Sequence, residues 1–407
     1  MAQLLGSHPQ IRASAKNVEA QRQAVGVAIA DFYPTVRANG DIGPEVIDSP
    51  STRTNGREDT FQRTRNVAGL TISQNLFNGY RTASGVRTAR LNKELAQITM
   101  EGTRQNTVFE GINAYIDVLR QRRLIELARE NEATIQRQLN LEDERVQRGS
   151  GVAVDVLQAK SRLQFAKERR VNFEGALEDA ITRYTQVYGR APNIDTMMDP
   201  VPPIDLIPSQ LERSVEIAIN ENPAVGNSGT SVEVARERRR NVLGELMPSV
   251  DLEAKWNYEK HRNATIGTRR DYSLLLSATW DLFTGFSTRS SQAQASFEYH
   301  ASKDEHEFAT RKVIEQTKLA WQALLTARER LELLENAVNI ASEVFESRKK
   351  LREAGKETVI NVLDAENEVN SAQINFTSAS YDERIAVYQL LLAMGRLDPV
   401  HLAINLR

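Results

Sequence analysis

Residues 73–85 read SQNLFNGYRTASG, and residues 282–291 read LFTGFSTRSS. Leu76-Phe77-x-Gly79 returns as Leu282-Phe283-x-Gly285, 206 positions later. The echo runs on in both directions. Upstream, His8-Pro9 matches Asn222-Pro223 and Tyr33-Pro34-Thr35-Val36 matches Met247-Pro248-Ser249-Val250, at a spacing of 214. Downstream the spacing holds at 206: Gly149 matches Gly355, Asp155-Val156-Leu157 matches Asn361-Val362-Leu363, and Gly189 matches Gly395. The first copy therefore carries eight extra residues between Pro34 and Leu76. They are placed in the polar run from Asp48 to Arg65, which reads as a loop. A period this long is not that of a solenoid. It is a whole structural unit written twice, 1–191 and 215–396, with a linker at 192–214 and a C-terminal segment at 397–407.

Each unit holds two kinds of sequence. The first alternates. From Ser249 to Glu259 the even positions are Val250, Leu252, Ala254, Trp256 and Tyr258, and the odd positions are polar or charged. Asp271 to Leu282 repeats the pattern with Tyr272, Leu274, Leu276, Ala278, Trp280 and Leu282; only Leu275 breaks the polar side. Thr35 to Val46 and Arg65 to Leu76 keep the parity more weakly. Period two with one apolar face predicts half-buried strands, here four, paired as two hairpins.

The second kind is helical and long. Between Gly285 and Gly355 there is no Gly or Pro. Ala320, Leu324, Ala327, Leu331, Leu334, Val338, Ala341 and Phe345 step by 4 and 3, and Val362, Ala365, Val369, Ala372, Phe376 and Ala379 resume the stripe beyond Gly355. Val156, Ala159, Leu163, Ala166, Phe173, Leu177, Ala180, Tyr184 and Val187 do the same in the first copy. A sustained heptad stripe predicts coiled-coil arms. At 1.5 Å per residue, an arm of about 70 residues reaches roughly 100 Å. Gly149-Ser150-Gly151 and Gly355 then form the tips of two antiparallel helical hairpins.

Composition narrows the function. The 407 residues carry a net charge of −2, so no whole-chain field recruits nucleic acid. Cysteine is absent, which excludes disulfides, thiol nucleophiles and thiolate metal sites. No apolar run approaches the roughly 18–20 residues of a membrane helix. No basic and apolar leader is visible, and the chain reads as a mature or trimmed form. Any membrane role must use strands. Four strands cannot close a barrel, since closure takes about eight. Strands of about a dozen residues suit a bilayer, and Trp256, Tyr258, Tyr272 and Trp280 stand where an aromatic girdle would lie. The pattern therefore predicts several chains sharing one membrane barrel with a helical extension. The competing possibility is a soluble β-sandwich with coiled-coil arms, which would have little need of aromatic strand ends.

The duplication, the Leu-Phe-x-Gly phrase after each hairpin, and the pair RVQRGSGVAVDVLQAKSRL and KLREAGKETVINVLDAENEV together resemble the TolC family of outer-membrane channels. The resemblance covers almost the whole chain. It implies a mainly α protein with a membrane β-barrel: a homotrimer with a 12-stranded barrel, four strands per chain, continued by a helical tunnel in the periplasm of a Gram-negative bacterium. It places Pro192 to Pro208 and the C-terminus in a mixed α/β equatorial band. It also implies a periplasmic adaptor, an inner-membrane ABC transporter or proton-driven pump, and outer-membrane lipid as partners. Each Leu-Phe-x-Gly would mark where a strand leaves the bilayer and a tunnel helix begins.

The same resemblance assigns a periplasmic gate to Asp364, Asn361, Asp155, Arg352 and Glu357. Asn361 stands where the family often has a second aspartate, so the closing network is expected to be wired differently. Asp364 and Asp155 are either a carboxylate ring at the tunnel mouth or a solvated turn of helix. Arg348, Lys349, Lys350, Arg352 and Lys356 are either a solvated face or an anchor for the gate. Gly149, Ser150, Gly151, Val152, Ala354 and Gly355 are the expected adaptor contacts.

No enzyme constellation emerges. The five histidines form no HExxH, and Gly149-Ser150-Gly151 lacks the Gly-Lys-Ser/Thr of a phosphate loop. His300 and His306 are spaced so that one helix face cannot present both, so no metal or cofactor is expected. The sequence thus points to a passive export channel. Asp364-Ala-Glu-Asn-Glu-Val and Leu-Phe-x-Gly-[Tyr/Phe]-x-Thr look most like type I secretion members, with multidrug efflux as the alternative. An adaptor-like coiled-coil protein is a third class, disfavoured by the duplication.

Overall fold

The computed structural model describes residues 2–50 and 60–398. The duplication is visible in the order of elements. The first copy runs α1 (Ala2–Ser7), α2 (Pro9–Ala30), β1 (Thr35–Ile47), β2 (Phe61–Phe77), α3 (Arg81–Gln147) and α4 (Ala153–Tyr188). The second runs α5 (Leu211–Glu221), α6 (Pro223–Leu243), β3 (Ser249–Lys260), β4 (Thr268–Thr279), α7 (Ser287–Glu353) and α8 (Val359–Ala393). Both α3 and α7 have 67 residues. Between the copies, the described structure holds two single 3-10 turns, Ile194–Thr196 and Ile204–Leu206, and no strand.

The contacts define two compact units, each drawn from both copies. One comprises Lys16–Gln97 and Asn227–Glu307 and holds all four strands. They form one antiparallel sheet in the order β1-β2-β3-β4, because β2 also pairs with β3. Both expected hairpins, β1–β2 and β3–β4, are present, and the β2–β3 pairing joins them into one sheet. Register explains the alternation. Ala38, Leu70 and Trp256 stand in one row with Tyr272, and Val36, Ile72 and Ala254 in another with Leu274. The offset rows carry Arg37, Thr71, Lys255 and Ser273, and Asn39, Gly69, Asn257 and Asp271. Most apolar positions thus share one face and most charges the other, as period two dictates; Lys260 and Arg270 on the apolar side and Val67 and Leu275 on the charged side are among the exceptions. Polar contacts tie this second face together: Arg65 forms an ion pair with Asp41 at 2.9 Å, and the Asn75 amide donates to Asp251 at 2.8 Å.

Two strand boundaries differ from expectation. β2 begins at Phe61, so 61–65 pair with β1 instead of looping, while 51–59 lie outside the described residues. β4 ends at Thr279 and leaves Trp280 to Leu282 outside the strand. The Trp280 indole N–H donates to the Leu246 carbonyl at 3.0 Å, which turns the chain out of the sheet.

The repeated phrase builds the strand-to-helix junction twice. Gly79 and Tyr80 have φ of 68° and 65°, and Gly285 and Phe286 have φ of 64° and 67°. Two successive left-handed residues redirect the chain, and the first position is cheap only for glycine. The residue before each glycine caps the helix. Asn78 Oδ1 accepts from the Thr82 N–H, and Thr284 Oγ1 accepts from the Thr288 N–H. The aromatic pairs close over the turn edge to face, Phe77–Tyr80 at 5.5 Å and Phe283–Phe286 at 5.4 Å.

The other unit comprises residues up to Ala15, Ile98–Gly226 and Phe308 onward. Its largest core joins Leu5 and Ile11 to Ile112, Ile116 and Leu119 of α3, Leu324 of α7, and Val387, Leu390 and Leu391 of α8. A separate apolar cluster lies near the tips, where Ile135 and Leu139 of α3 and Val156, Ala159, Leu163 and Ala166 of α4 meet Val359 and Leu363 of α8. The hairpins turn at 148–152 and 354–358 with the same backbone. Gly149 (φ 76°) and Gly355 (φ 72°) are left-handed, and the next N–H reaches back to the Arg145 and Leu351 carbonyls. This is the six-to-one closure of a helix end.

Candidate functional site

Two regions carry the residues singled out above. The first is the sheet. Its apolar face is bare: Ile42, Tyr272, Leu274 and Leu276 are 68–77% exposed. Neither β1 nor β4 has a strand on its outer side among the described residues. Trp256 and Tyr272 are direct cross-strand partners, and Tyr258 lies two residues nearer the β3–β4 turn. Trp280 lies beyond the opposite end of β4 and is exposed, as are the rings of Phe283 and Phe286 that follow it at the junction. Among the described residues no helix is long and apolar enough to cross a membrane.

The second region is the pair of tips. Arg352, in the last turn of α7, extends across to the first hairpin. Its Nη2 donates to Glu142 Oε1 and Oε2 at 3.3 and 3.2 Å, and its Nη1 donates to the Glu357 carbonyl at 3.1 Å. Glu142 is buried and also accepts from Arg145 at 2.7 Å, so two guanidinium groups compensate its charge. Asp364 is exposed and paired with Arg162 of α4. It is therefore a half-neutralised carboxylate rather than an isolated one.

Glu357 does not reach another hairpin in this chain. Its carboxylate accepts from the Asn361 side chain at 2.5 Å and the Thr358 N–H at 3.0 Å. These bonds, Asn361 first, hold its pKa below the usual carboxylate range. Thr358 caps α8 by accepting from the Asn361 N–H. Asn361 is thus committed within its own turn, and its carbonyl takes Arg348 at 3.3 Å. Asp155 is half-buried in the first turn of α4, where a helix N-terminus favours a negative charge. Val152 is 60% exposed, and Gly149, Ser150, Ala354 and Gly355 are exposed around it, with Gly151 half-buried.

Sequence reasoning missed Glu142 and Arg162. Glu142 had a legible signal: Ile135, Leu139, Glu142 and Val146 step by 4, 3 and 4, so a charge occupies a core position of a heptad stripe. Arg162 had none, being one of many arginines off the apolar stripe. The histidine pair divides: His306 Nδ1 lies 2.8 Å from Ser228 Oγ, while the His300 ring packs near Tyr299. Among the described residues no group of His, Asp or Glu is arranged to hold a metal.

The family model described as "Outer membrane efflux protein" matches residues 1–190 and 215–396. The chain belongs to the outer membrane efflux protein family. It is similar to outer membrane efflux protein BepC of Brucella suis, with 24% identity over 97% of this chain and 86% of that one. It is likewise similar to the alkaline protease secretion protein AprF of Pseudomonas aeruginosa, with 23% identity over 98% of this chain and 84% of that one. A crystal structure of a membrane protein from Pseudomonas aeruginosa superposes with a TM-score of 0.85, covering 97% of this chain and 88% of that one at 18% identity. The fold is that of the TolC-like channels, four strands per chain with long helical hairpins, and the protein resides in the Gram-negative outer membrane and extends into the periplasm. Members of this family are channels rather than enzymes.

Proposed function

We propose that three copies of this chain close a 12-stranded barrel and form the outer-membrane conduit of a type I secretion system. The observation that carries the channel is the sheet. One face is apolar and bare, the other is charged and cross-linked, and both edges are open. Bilayer lipid satisfies the first, an aqueous lumen the second, and neighbouring copies the third. In this arrangement Trp256, Tyr258 and Tyr272 form the outer aromatic level, and Trp280 the inner one.

The tips form the gate at the periplasmic end. Arg352–Glu142 and Arg162–Asp364 tie the second hairpin to the first within each chain, and threefold symmetry brings Asp364 and Asp155 to the mouth. Low-dielectric walls focus the field of such carboxylates and slow cations. An adaptor that binds at Gly149–Val152 and Ala354–Gly355 would stand within one turn of Arg352. It is placed to release that residue from Glu142. An inner-membrane ABC transporter would then deliver a protein substrate through the open tunnel.

Secretion rather than drug efflux is supported by the Asp364-Ala-Glu-Asn-Glu-Val and Leu-Phe-x-Gly-[Tyr/Phe]-x-Thr phrases and by the likeness to AprF. Likeness to BepC favours efflux as the second reading. Deleting the gene in its native bacterium separates them. Loss of one protein from the culture medium with unchanged drug susceptibility supports secretion. Unchanged secreted proteins with increased drug susceptibility contradicts it. The mass of the detergent-purified protein tests assembly, and a stable monomer with intact strands contradicts the shared barrel.

A further inference from the structure

A second glutamate lies in the same apolar seam as Glu142 and lacks its partners. On α8, Val359 and Leu363 pack against the first hairpin, and Glu366 and Asn370 continue that stripe, stepping by 4, 3 and 4; all four are buried. Glu366 is 7% exposed and Asn370 4%. Among the described residues no guanidinium group bonds the Glu366 carboxylate, whose polar neighbour is the Gln138 amide, and Asn370 Nδ2 makes no well-formed hydrogen bond. Glu142 is just as buried, at 6%, yet receives both Arg145 and Arg352. The difference is chemical: one glutamate is met by guanidinium groups, the other by an amide and hydrocarbon.

The surroundings of Glu366 are readily enumerated. From α3 come Gln138, and Arg137, whose own guanidinium bonds Thr134 Oγ1. Leu163 and Ala166 of α4 belong to the apolar cluster that contains Leu363, one turn before Glu366, and Arg162 of α4 is engaged by Asp364. Along α8, Asn370 is buried, and Glu368 and Asp364 are exposed. Burial pushes the Glu366 carboxyl up to about 7, and Gln138 and Arg137 offset only part of this. An ionised carboxylate met by a neutral amide and no bonded cation is expensive to bury, whereas the protonated acid is neutral.

We propose that Glu366 is a proton-binding site in the seam between the two hairpins of each chain. The packed seam holds the protonated acid, and ionisation loosens it. The sign follows from linkage. The packed state binds the proton more tightly than a solvated carboxyl does, so packing is favoured at low pH. The advantage disappears as pH rises from about 4.5 to about 7, and above that the full penalty of the buried charge applies. That this loosening also opens the channel rests on the gate reading above; the proton site itself does not.

Hydrogen exchange of the full-length protein in detergent tests the site, comparing peptides spanning Val359–Asn370 at pH 5.5 and 8, with times scaled for intrinsic exchange. One unit of pKa shift is a factor of ten, so protection should fall by at least about tenfold at the higher pH. Glu366→Gln, the neutral mimic, should keep the same protection at both. Equal protection of the wild type at the two values, or an undiminished pH effect in Glu366→Gln, overturns the proposal. Resting conductance in planar bilayers is the second readout. It should rise with pH in the wild type and stay flat in Glu366→Gln. An exchange response without a conductance response upholds the proton site and removes the gate reading instead.

Discussion

The two strand-to-helix junctions and the two hairpin tips have diverged to different degrees. At the junctions, residues 77–82 and 283–288 agree in backbone, in capping and in the edge-to-face ring pair. At the tips only the backbone agrees. The second tip projects Arg352 across to Glu142 and locks Glu357 to Asn361, whereas at the first tip Arg148 pairs only with Glu144 of its own helix. The fold requires each copy to turn from strand to helix in the same way. At the tips the two copies differ, because Arg352 of the second hairpin bonds Glu142 of the first.

The largest expected effect comes from a hidden asymmetry between the junctions. A Cβ on Gly79 would meet the Gly244 carbonyl oxygen at 2.3 Å, while one on Gly285 would meet nothing within 4 Å. Gly79→Ala should abolish recovery of folded protein from membranes. Gly285→Ala should cost only the left-handed penalty of about 1–2 kcal/mol, read as a lower melting temperature. Equal tolerance would break the claim that the first junction is wedged against its neighbour.

Next come the tip arginines. Arg352→Ala leaves Glu142 with one partner and should destabilise the hairpin seam by about 1.5–3 kcal/mol, the range for a hydrogen bond to a charged group. Arg148→Ala, at the exposed tip, should remain within about 0.5 kcal/mol of wild type. Denaturant melting of the helical signal compares the two, and similar losses would erase the distinction between holder and held. Asn78→Ala and Thr284→Ala should each cost about 1 kcal/mol, and by equal amounts, as matched caps do. Arg162→Ala should likewise be small, about 0–1 kcal/mol, because its pair with Asp364 is largely exposed.

The legible features were those fixed by periodicity. Strict alternation from Ser249 to Glu259 set the faces of the sheet, because side chains on a strand have nowhere else to point. The glycine breaks set the tips, because the left-handed closure at Gly149 and Gly355 demands that residue. Strand ends were less legible. Trp280 continues the alternation but leaves the sheet to bond Leu246, a tertiary contact that no local pattern announces. The tip network was legible only in part. Arg352 could be singled out, but its partner Glu142 is 210 residues away in sequence. What marked Glu142, and marks Glu366, is a charge on an otherwise apolar heptad stripe. Such a residue is either compensated or titratable, and only the packing distinguishes the two.

The most direct measurement is the resting single-channel conductance of Arg352→Ala beside wild type in planar bilayers, without adaptor. If Arg352 and Glu142 hold the second hairpin against the first, the variant should conduct several-fold more at rest. Glu142→Gln should do the same, and combining the two should add little. A resting conductance indistinguishable from wild type in Arg352→Ala would contradict the account and place the closing contacts elsewhere.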